Sequence, residues 1–415
     1  METRAATPSL ATSDLALPEA FRGDALRAGD DGYDEARAVF NGMIDRRPAL
    51  IARCGGTADV VDAVALARER RLPLAVRGGG HSVGGHGVCE GGVMIDLSAM
   101  RSVHVDPGRR IARVGGGALW GDVDRATQLF GLAVTGGRVG GTGVGGLTLG
   151  SGSGWLERKL GLTCDSLISA ELVTADGRVL TASDEEHPDL FWGLRGGGGN
   201  FGVVTSFEFR LHPVGPILYG GMLMFPGPRA AEVTRAYRGF IAGAEDDIGG
   251  AVALLSAPDA PFVPEPARGQ PVAGVVVVYT GDPADGPEAY APMRELGPVV
   301  EMVGPMPYTA IQGLIDGTGQ PGLRNYWTAE FLDDLPDEAI DVLAEFHARV
   351  PSPFTAMPII PGGGAITRVA EDADALGYRD APWNVHMLTM WADAADDERN
   401  IAWTRDLAAA IQPWT

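Results

Sequence analysis

Apolar residues recur in short blocks along this chain, and the period within each block selects the element it can form. Ala49-Leu50-Ile51-Ala52 is a short apolar strand. Between Thr57 and Arg70, the residues Val60, Val61, Val64, Ala65 and Ala67 return at helical spacing, which predicts a helix. Strands follow at Leu72–Val76 and Val93–Asp96. Ser102–Val105 and Arg110–Val114 flank Pro107-Gly108 and read as a hairpin. A second helix is predicted over Leu119–Phe130, then a strand over Leu132–Thr135. Ser166–Thr174 and Val179–Ser183 enclose Asp176-Gly177, a dipeptide suited to a tight hairpin turn. A short helix, Pro188–Leu194, and a strongly β run, Val203–Leu211, complete this half.

Strand pairs with helices between them give an α+β class, not a strict βα alternation. Residues 1–45 form a polar, Ala-rich lead-in of weak helical character. His212-Pro213-Val214-Gly215-Pro216 marks a boundary. Beyond it, Leu218–Phe225, Ala251–Leu255 and Val272–Tyr279 read as strands of a separate sheet, with helices at Asp337–Val350 and Asp396–Ile411. The Pro/Ala-rich stretch Ala257 to Pro271 reads as an exposed loop. The expected organisation is a lead-in over 1–45, a first domain over 46–216 and a second over 217–415.

Charge and cysteine usage narrow the function. Among 415 residues, 33 basic against 54 acidic side chains give a formal charge of −21. A field of that sign repels phosphate backbones and argues against a general nucleic-acid binder. Met1 to Leu15 lacks the charged start, apolar stretch and cleavage pattern of a secretory signal. No apolar run reaches the roughly 18 residues that a membrane span needs. Cys54, Cys89 and Cys164 are odd in number and far apart, so neither a zinc pattern nor a disulfide framework is expected. The expectation is a soluble, cytoplasmic protein, without metal, nucleic acid or membrane. Its oligomeric state is left open.

Glycine changes the picture. It makes up 60 of the 415 residues, about twice the usual ~7%. It clusters at Gly78 to Gly92, Gly136 to Gly154 and Gly196 to Gly202. Such loops let successive backbone N–H groups converge on one anion. Three of them beside strands in one domain fit a large phosphorylated cofactor; unrelated turns are the plainer alternative. Gly141-Thr142-Gly143-Val144-Gly145-Gly146 satisfies G-x-G-x-x-G, as a glycine-rich tract does by chance. Asp165, however, precedes the following apolar strand instead of ending it. The single lysine, Lys159, lies in no G-x-x-x-x-G-K-[ST] loop. The nicotinamide and P-loop readings therefore lose.

Longer stretches carry a resemblance. Arg77-Gly78-Gly79-Gly80-His81-Ser82, followed by Gly91-Gly92-Val93-Met94-Ile95-Asp96-Leu97-Ser98, resembles the first flavin loop of the vanillyl-alcohol-oxidase/PCMH-type flavoproteins. The similarity is to their berberine-bridge-enzyme-like and 6-hydroxy-D-nicotine-oxidase-like branch. Gly145 to Leu156 resembles the second loop, and Asp189 to Thr205 the most diagnostic stretch. The likeness is strong over 46–216 and loose over 217–400.

The resemblance implies a two-part PCMH-type FAD-binding domain and an α/β substrate domain whose antiparallel sheet covers the isoalloxazine ring. It implies a single covalent 8α-histidyl link through His81, with His86 a neighbour. Many relatives make a second bond from a cysteine at the position held here by Val139. Cys164 matches no linking position and reads as a small buried residue. Expected cofactor contacts are Arg77, Gly78, Gly79, Gly80 and Ser82 in the first loop, and Gly143, Gly145, Gly146 and Gly150 in the second. Val203 would meet the adenine end, and Asn200 either meets the cofactor or satisfies its own loop.

The implied reaction takes a hydride from a C–H next to an alcohol or amine of a small secondary metabolite, and the aromatic and Met content of Trp383–Trp391 points to an apolar, aromatic or polycyclic one. A base takes the adjacent proton, and O2 reoxidises the FAD. A dehydrogenase, an oligosaccharide oxidase of the same family and a catalytically inactive flavin fold are the alternatives. Thr355 to Ile360, where relatives place a charged residue, holds no carboxylate. On Trp383–Trp391, Asn384, His386, Leu388 and Met390 share one face. His386 has the ordinary pKa best suited to a base; a hydrogen-bonded core histidine is the other reading. Tyr326 is a candidate for orienting substrate or a core tyrosine, and His347 reads as surface. Relatives continue with Tyr-x-Asn and Asp-Pro-x-Asn-like segments that do not occur here.

Overall fold

The computed structural model describes residues 15–415; residues 1–14 of the expected lead-in lie outside the described residues. The first sheet has four strands. Leu50–Arg53, Val93–Asp96 and Leu74–Arg77 lie side by side in parallel, with Asp24–Leu26 antiparallel at the edge. Parallel strands need a crossover, and the helix Thr57–Arg70 supplies the one from Leu50–Arg53 to Leu74–Arg77, which flank Val93–Asp96. Val60, Ala63 and Val64 of the helix are buried with Ala52 and Ile95 of the sheet; of the periodic set, Val60, Val64 and Ala67 are buried, while Val61 and Ala65 are half-buried at its margin.

The second sheet is antiparallel, in the order Val103–Asp106, Ile111–Gly115, Val203–Arg210, Leu167–Val173, Val179–Ser183. Both hairpins expected from turn residues are in it. The helix Trp120–Thr127 packs Trp120 and Val123 into the core with Phe207 and Phe209.

The third large sheet has seven antiparallel strands, all drawn from Ile217 onward. Their order is Val300–Pro307, Ile217–Pro226, Pro271–Tyr279, Ile248–Ser256, Met357–Pro361, Trp383–Trp391, Arg324–Leu332. Helices Ala230–Ala242, Asp337–Ala348 and Asp397–Ile411 cover one face and bury a core that includes Val233, Leu343, Leu407 and Met387. On the other face, Met222, Val276 and Ile360 pack with Trp155, Leu156 and Val214 from the first half of the chain. Among the described residues, no helix is long and apolar enough to cross a membrane.

His347 corrects the sequence reading. It is 1% exposed, not a surface residue. Charged neighbours disguise its helix, but His347 follows Leu343 by four positions and so shares that residue's buried face. Burial drives its pKa down to about 4, against an opposing hydrogen bond with the Val272 backbone. The Ala257 to Pro271 stretch is a loop as expected, although Ala257 and Val263 are buried. The strand Arg324–Leu332 and the helix Ala230–Ala242 had no counterpart in the sequence reading.

Candidate active site

The first two glycine loops meet back to back. A Cβ on Gly79 would lie 2.5 Å from the backbone N of Gly143, and one on Gly143 would lie 2.4 Å from the N of Gly79. Glycine at both positions is what lets these backbones touch. Beneath them, the Gly116 carbonyl oxygen would lie 3.3 Å from a Cβ on either Gly78 or Gly145. Sequence reasoning passed over this third contributor; three consecutive glycines ending a strand, Gly115-Gly116-Gly117, were the available signal. The backbone N–H groups of Gly78 to Gly84 donate no hydrogen bond among the described residues. A Cβ on Gly141 or Gly146 would meet nothing, so the loops border open space.

Other expected contacts take several places. The Arg77 guanidinium donates to the Ala36 carbonyl, while its Nε is buried without a partner. Ser82 Oγ accepts from the His86 N–H at 3.4 Å. Asn200 donates to the Gly197 carbonyl at 2.9 Å and so braces its own loop. Val203 is buried in the core with Val173 and Leu97. Gly150 lies on the wall of the cleft described below.

His81 stands among aromatic rings. Its centroid lies 4.3 Å from that of Phe40 and 6.3 Å from that of Trp327. Burial holds its pKa below the usual histidine value, which favours the neutral imidazole. Beside it, Trp327 Nε1 is buried with no hydrogen-bond partner.

From this aromatic group, one row of side chains runs along the seven-stranded sheet into a cleft of about 420 Å³. Leu388 pairs with Trp327, His386 with Ala329, and Asn384 with Phe331 on one side and Ile360 on the other. The opposite wall is the second glycine loop, including Gly146 and Gly150 to Ser153. The small Ala329 leaves room beside His386. That imidazole makes no hydrogen bond among the described residues and lines the cleft. Burial, with a smaller contribution from the Arg138 charge, lowers its pKa to about 4.

Glu157 and Ser153 also line the cleft, as part of a charged group the sequence did not suggest. Glu157 accepts from Arg138 Nη2 at 2.7 Å, Ser153 Oγ at 2.5 Å and the Gly154 N–H at 3.0 Å. It ties the start of the second loop to its end.

Tyr326 is not brought to the cleft. Successive strand residues face opposite ways, so Trp327, Ala329 and Phe331 take the cleft side and Tyr326 the other. Its hydroxyl accepts from Arg405 Nε at 3.2 Å, on the helix Asp397–Ile411. Cys164 is fully buried beside Asp165, Asp374 and Arg379. Arg379 donates to both carboxylates there, so the guanidinium takes the place a metal ion would need.

Comparison with known proteins agrees with this geometry. The family described as an FAD binding domain matches residues 48–183. An FAD-linked oxidoreductase of Dictyostelium discoideum is 30% identical over 402 residues, 95% of this chain and 85% of the relative. The chain belongs to the FAD-linked oxidoreductases. The crystal structure of 6-hydroxy-D-nicotine oxidase from Arthrobacter nicotinovorans superposes with a TM-score of 0.83 at 28% identity, covering 96% of this chain and 87% of that one. Berberine bridge enzyme from Eschscholzia californica shares the fold, with a TM-score of 0.84 at 19% identity over 94% of this chain and 82% of that one. These neighbours put the FAD-linked oxidoreductase in the vanillyl-alcohol-oxidase/PCMH superfamily, with its α+β, PCMH-type fold. The residues present fit FAD. The N–H groups of Gly78 to Gly84 are unpaired among the described residues, a Cβ on Gly141 or Gly146 would meet nothing, and the buried Trp327 Nε1 beside His81 has no partner.

Proposed function

We propose that this chain is a flavin-dependent oxidase that takes a hydride from a C–H next to a hydroxyl or amine of a small aromatic molecule. The observation that carries this reading is His386, a neutral and unpartnered imidazole facing a cleft that the flavin-type glycine loop borders. Residues 46–216 hold the cofactor in this reading, and residues 217–415 supply the substrate wall. The backbones of Gly78, Gly79, Gly80, Ser82, Gly143, Gly145, Gly146 and Gly150 line the cofactor, and His81 is its single covalent attachment. When bound, FAD supplies the two-electron acceptor, which dioxygen returns to the oxidised form.

The chain's own residues do the rest. His386 takes the proton from the substrate hydroxyl or amine, and the apolar walls Leu147, Ile360 and Leu376 exclude water around it. Similarity to an oxidase named for 6-hydroxy-D-nicotine supports a small aromatic substrate. A base with a pKa of about 4 is neutral at physiological pH, so turnover should rise as pH climbs through about 4 and then level off.

Anaerobic mixing of FAD-loaded protein with a panel of aromatic alcohols and amines tests this function. Bleaching of the flavin by at least one member is expected. His386→Ala should slow bleaching by about 10²–10⁴-fold while keeping its flavin. A bound flavin that no donor bleaches would sink the proposal, and bleaching by oligosaccharides alone would replace it with a sugar oxidase.

A further inference from the structure

The His81 imidazole makes no hydrogen bond among the described residues, so packing orients it. The ring of Phe40 lies against it, with centroids 4.3 Å apart, and Phe40 in turn meets Trp327 edge-on at 5.6 Å. The three rings come from three distant parts of the chain. The side chain next to Phe40 brings those parts together.

Asn41 is 3% exposed, yet its amide is fully used. Nδ2 donates to the Val83 carbonyl at 2.8 Å and to the Asn325 carbonyl at 3.0 Å. Oδ1 accepts from the N–H of Asn325 at 3.1 Å and from that of Met43 at 3.0 Å. One side chain thus joins the loop after His81 to the strand Arg324–Leu332, 284 positions further along the chain. The backbone on either side closes the same joint. The Phe40 N–H donates to the Gly80 carbonyl at 2.9 Å, the Gly42 N–H to the Leu323 carbonyl at 2.8 Å, and the Gly322 N–H to the Phe40 carbonyl at 3.0 Å. A Cβ on Gly42 would lie 2.2 Å from the Gly322 oxygen, so this approach requires glycine.

The joint also divides the first glycine loop by polarity. Phe40 and Asn41 take its carbonyls at Gly80 and Val83, and Arg46 Nη1 donates to those of Gly85 at 2.8 Å and Val88 at 3.1 Å. The N–H groups of Gly78 to Gly84 stay unpaired among the described residues. Acceptors are tied down while donors remain available to an anion.

We propose that Asn41 is the positioning residue for His81, registering the histidine loop against the strand that carries Trp327 and so fixing the imidazole. Flavin attachment then depends on Asn41 although Asn41 takes no part in the bond. That consequence rests on the attachment through His81 proposed above; the joint itself can be measured without it.

The FAD-loaded wild type, Asn41→Ala and Asn41→Asp are compared at equal total flavin. Two quantities are read: the share of flavin kept in an acid-washed pellet, and hydrogen exchange of peptides covering 40–43 and 322–327. Asn41→Asp keeps the size and the acceptor but removes both donations, which covers the case of an alanine variant that does not fold. Both variants are expected to lower the acid-stable share severalfold and to speed exchange in the two peptides together by about tenfold. Leu343→Ala, in the core on the helix-covered face of the sheet, lowers the melting temperature as well and should keep the wild-type share. A full acid-stable share in either folded Asn41 variant, unchanged exchange, or an equal loss in Leu343→Ala would overturn the proposal. If the wild type itself releases all its flavin into acid, the attachment reading falls and exchange alone decides: faster exchange in both peptides upholds the Asn41 joint, and unchanged exchange overturns it.

Discussion

At the scale of single residues, the tightest tolerance in the site belongs to the backbone contact between Gly79 and Gly143. A methyl group on Gly79 would lie 2.5 Å from the facing nitrogen and cannot be absorbed by a side-chain rotation. Gly79→Ala should therefore part the two loops and cut the flavin-to-protein absorbance ratio well below that of the wild type, with the far-ultraviolet dichroism unchanged. A full flavin complement in that variant would contradict the cradle. His347 shows the limit of residue-scale reading. Its position is fixed by which helix face is buried, and the charged residues around it hide that face from the sequence. Since its folded pKa of about 4 lies below the ordinary value of 6.5, the unfolded chain takes up the proton first as pH falls. The contribution is intact above about pH 6.5 and is lost as pH drops toward about 4, by roughly 3 kcal/mol at most. Thermal unfolding at these two pH values should show a smaller drop in His347→Leu than in the wild type. Equal drops would mean that another group governs the acid response.

At the scale of elements, period-two alternation let the sequence identify the cleft face of Trp383–Trp391, because that strand is bounded and apolar. The partner strand Arg324–Leu332 mixes polar and aromatic residues and was not recognised as a strand. Tyr326 was then weighed as a site residue in place of Trp327, one position and one face away. The segment from Gly362 to Pro382 was also illegible, since its course is set by contacts with Trp192, Arg195 and Asp165 far away in sequence. Its anchor is Arg379, whose side chain is 3% exposed between two buried carboxylates. Removing one member of a buried ionic group strands the others and costs about 3–5 kcal/mol. Arg379→Met should lower the melting temperature and open 362–382 to limited proteolysis. Unchanged protease resistance would show that the segment is held by other contacts.

At the scale of the whole molecule, the flavin loops were legible because their chemistry is local: clustered glycines and a histidine within continuous stretches. How the seven-stranded sheet meets them was not, because that contact joins residues 86 to 204 positions apart. Arg158 makes the point. Its guanidinium donates to the carbonyls of Ile248 at 3.0 Å, Gly362 at 2.8 Å and Ala244 at 3.0 Å, tying the chain beyond the second glycine loop to the sheet. Arg158→Leu leaves those carbonyls unpaired and should lower both melting temperature and flavin retention. Loss of stability without loss of flavin would show that cofactor holding does not depend on this joint.

In the proposed function, FAD lies in this cradle attached through His81. Acid precipitation of the flavin-loaded protein, followed by mass analysis of the peptide containing His81, tests it most directly. The expected result is flavin retained in the washed pellet, the adduct mass on the His81 peptide, and full release of colour from His81→Ala. Colour released from the wild type would contradict the linkage, and no flavin in either fraction would contradict the cofactor site itself.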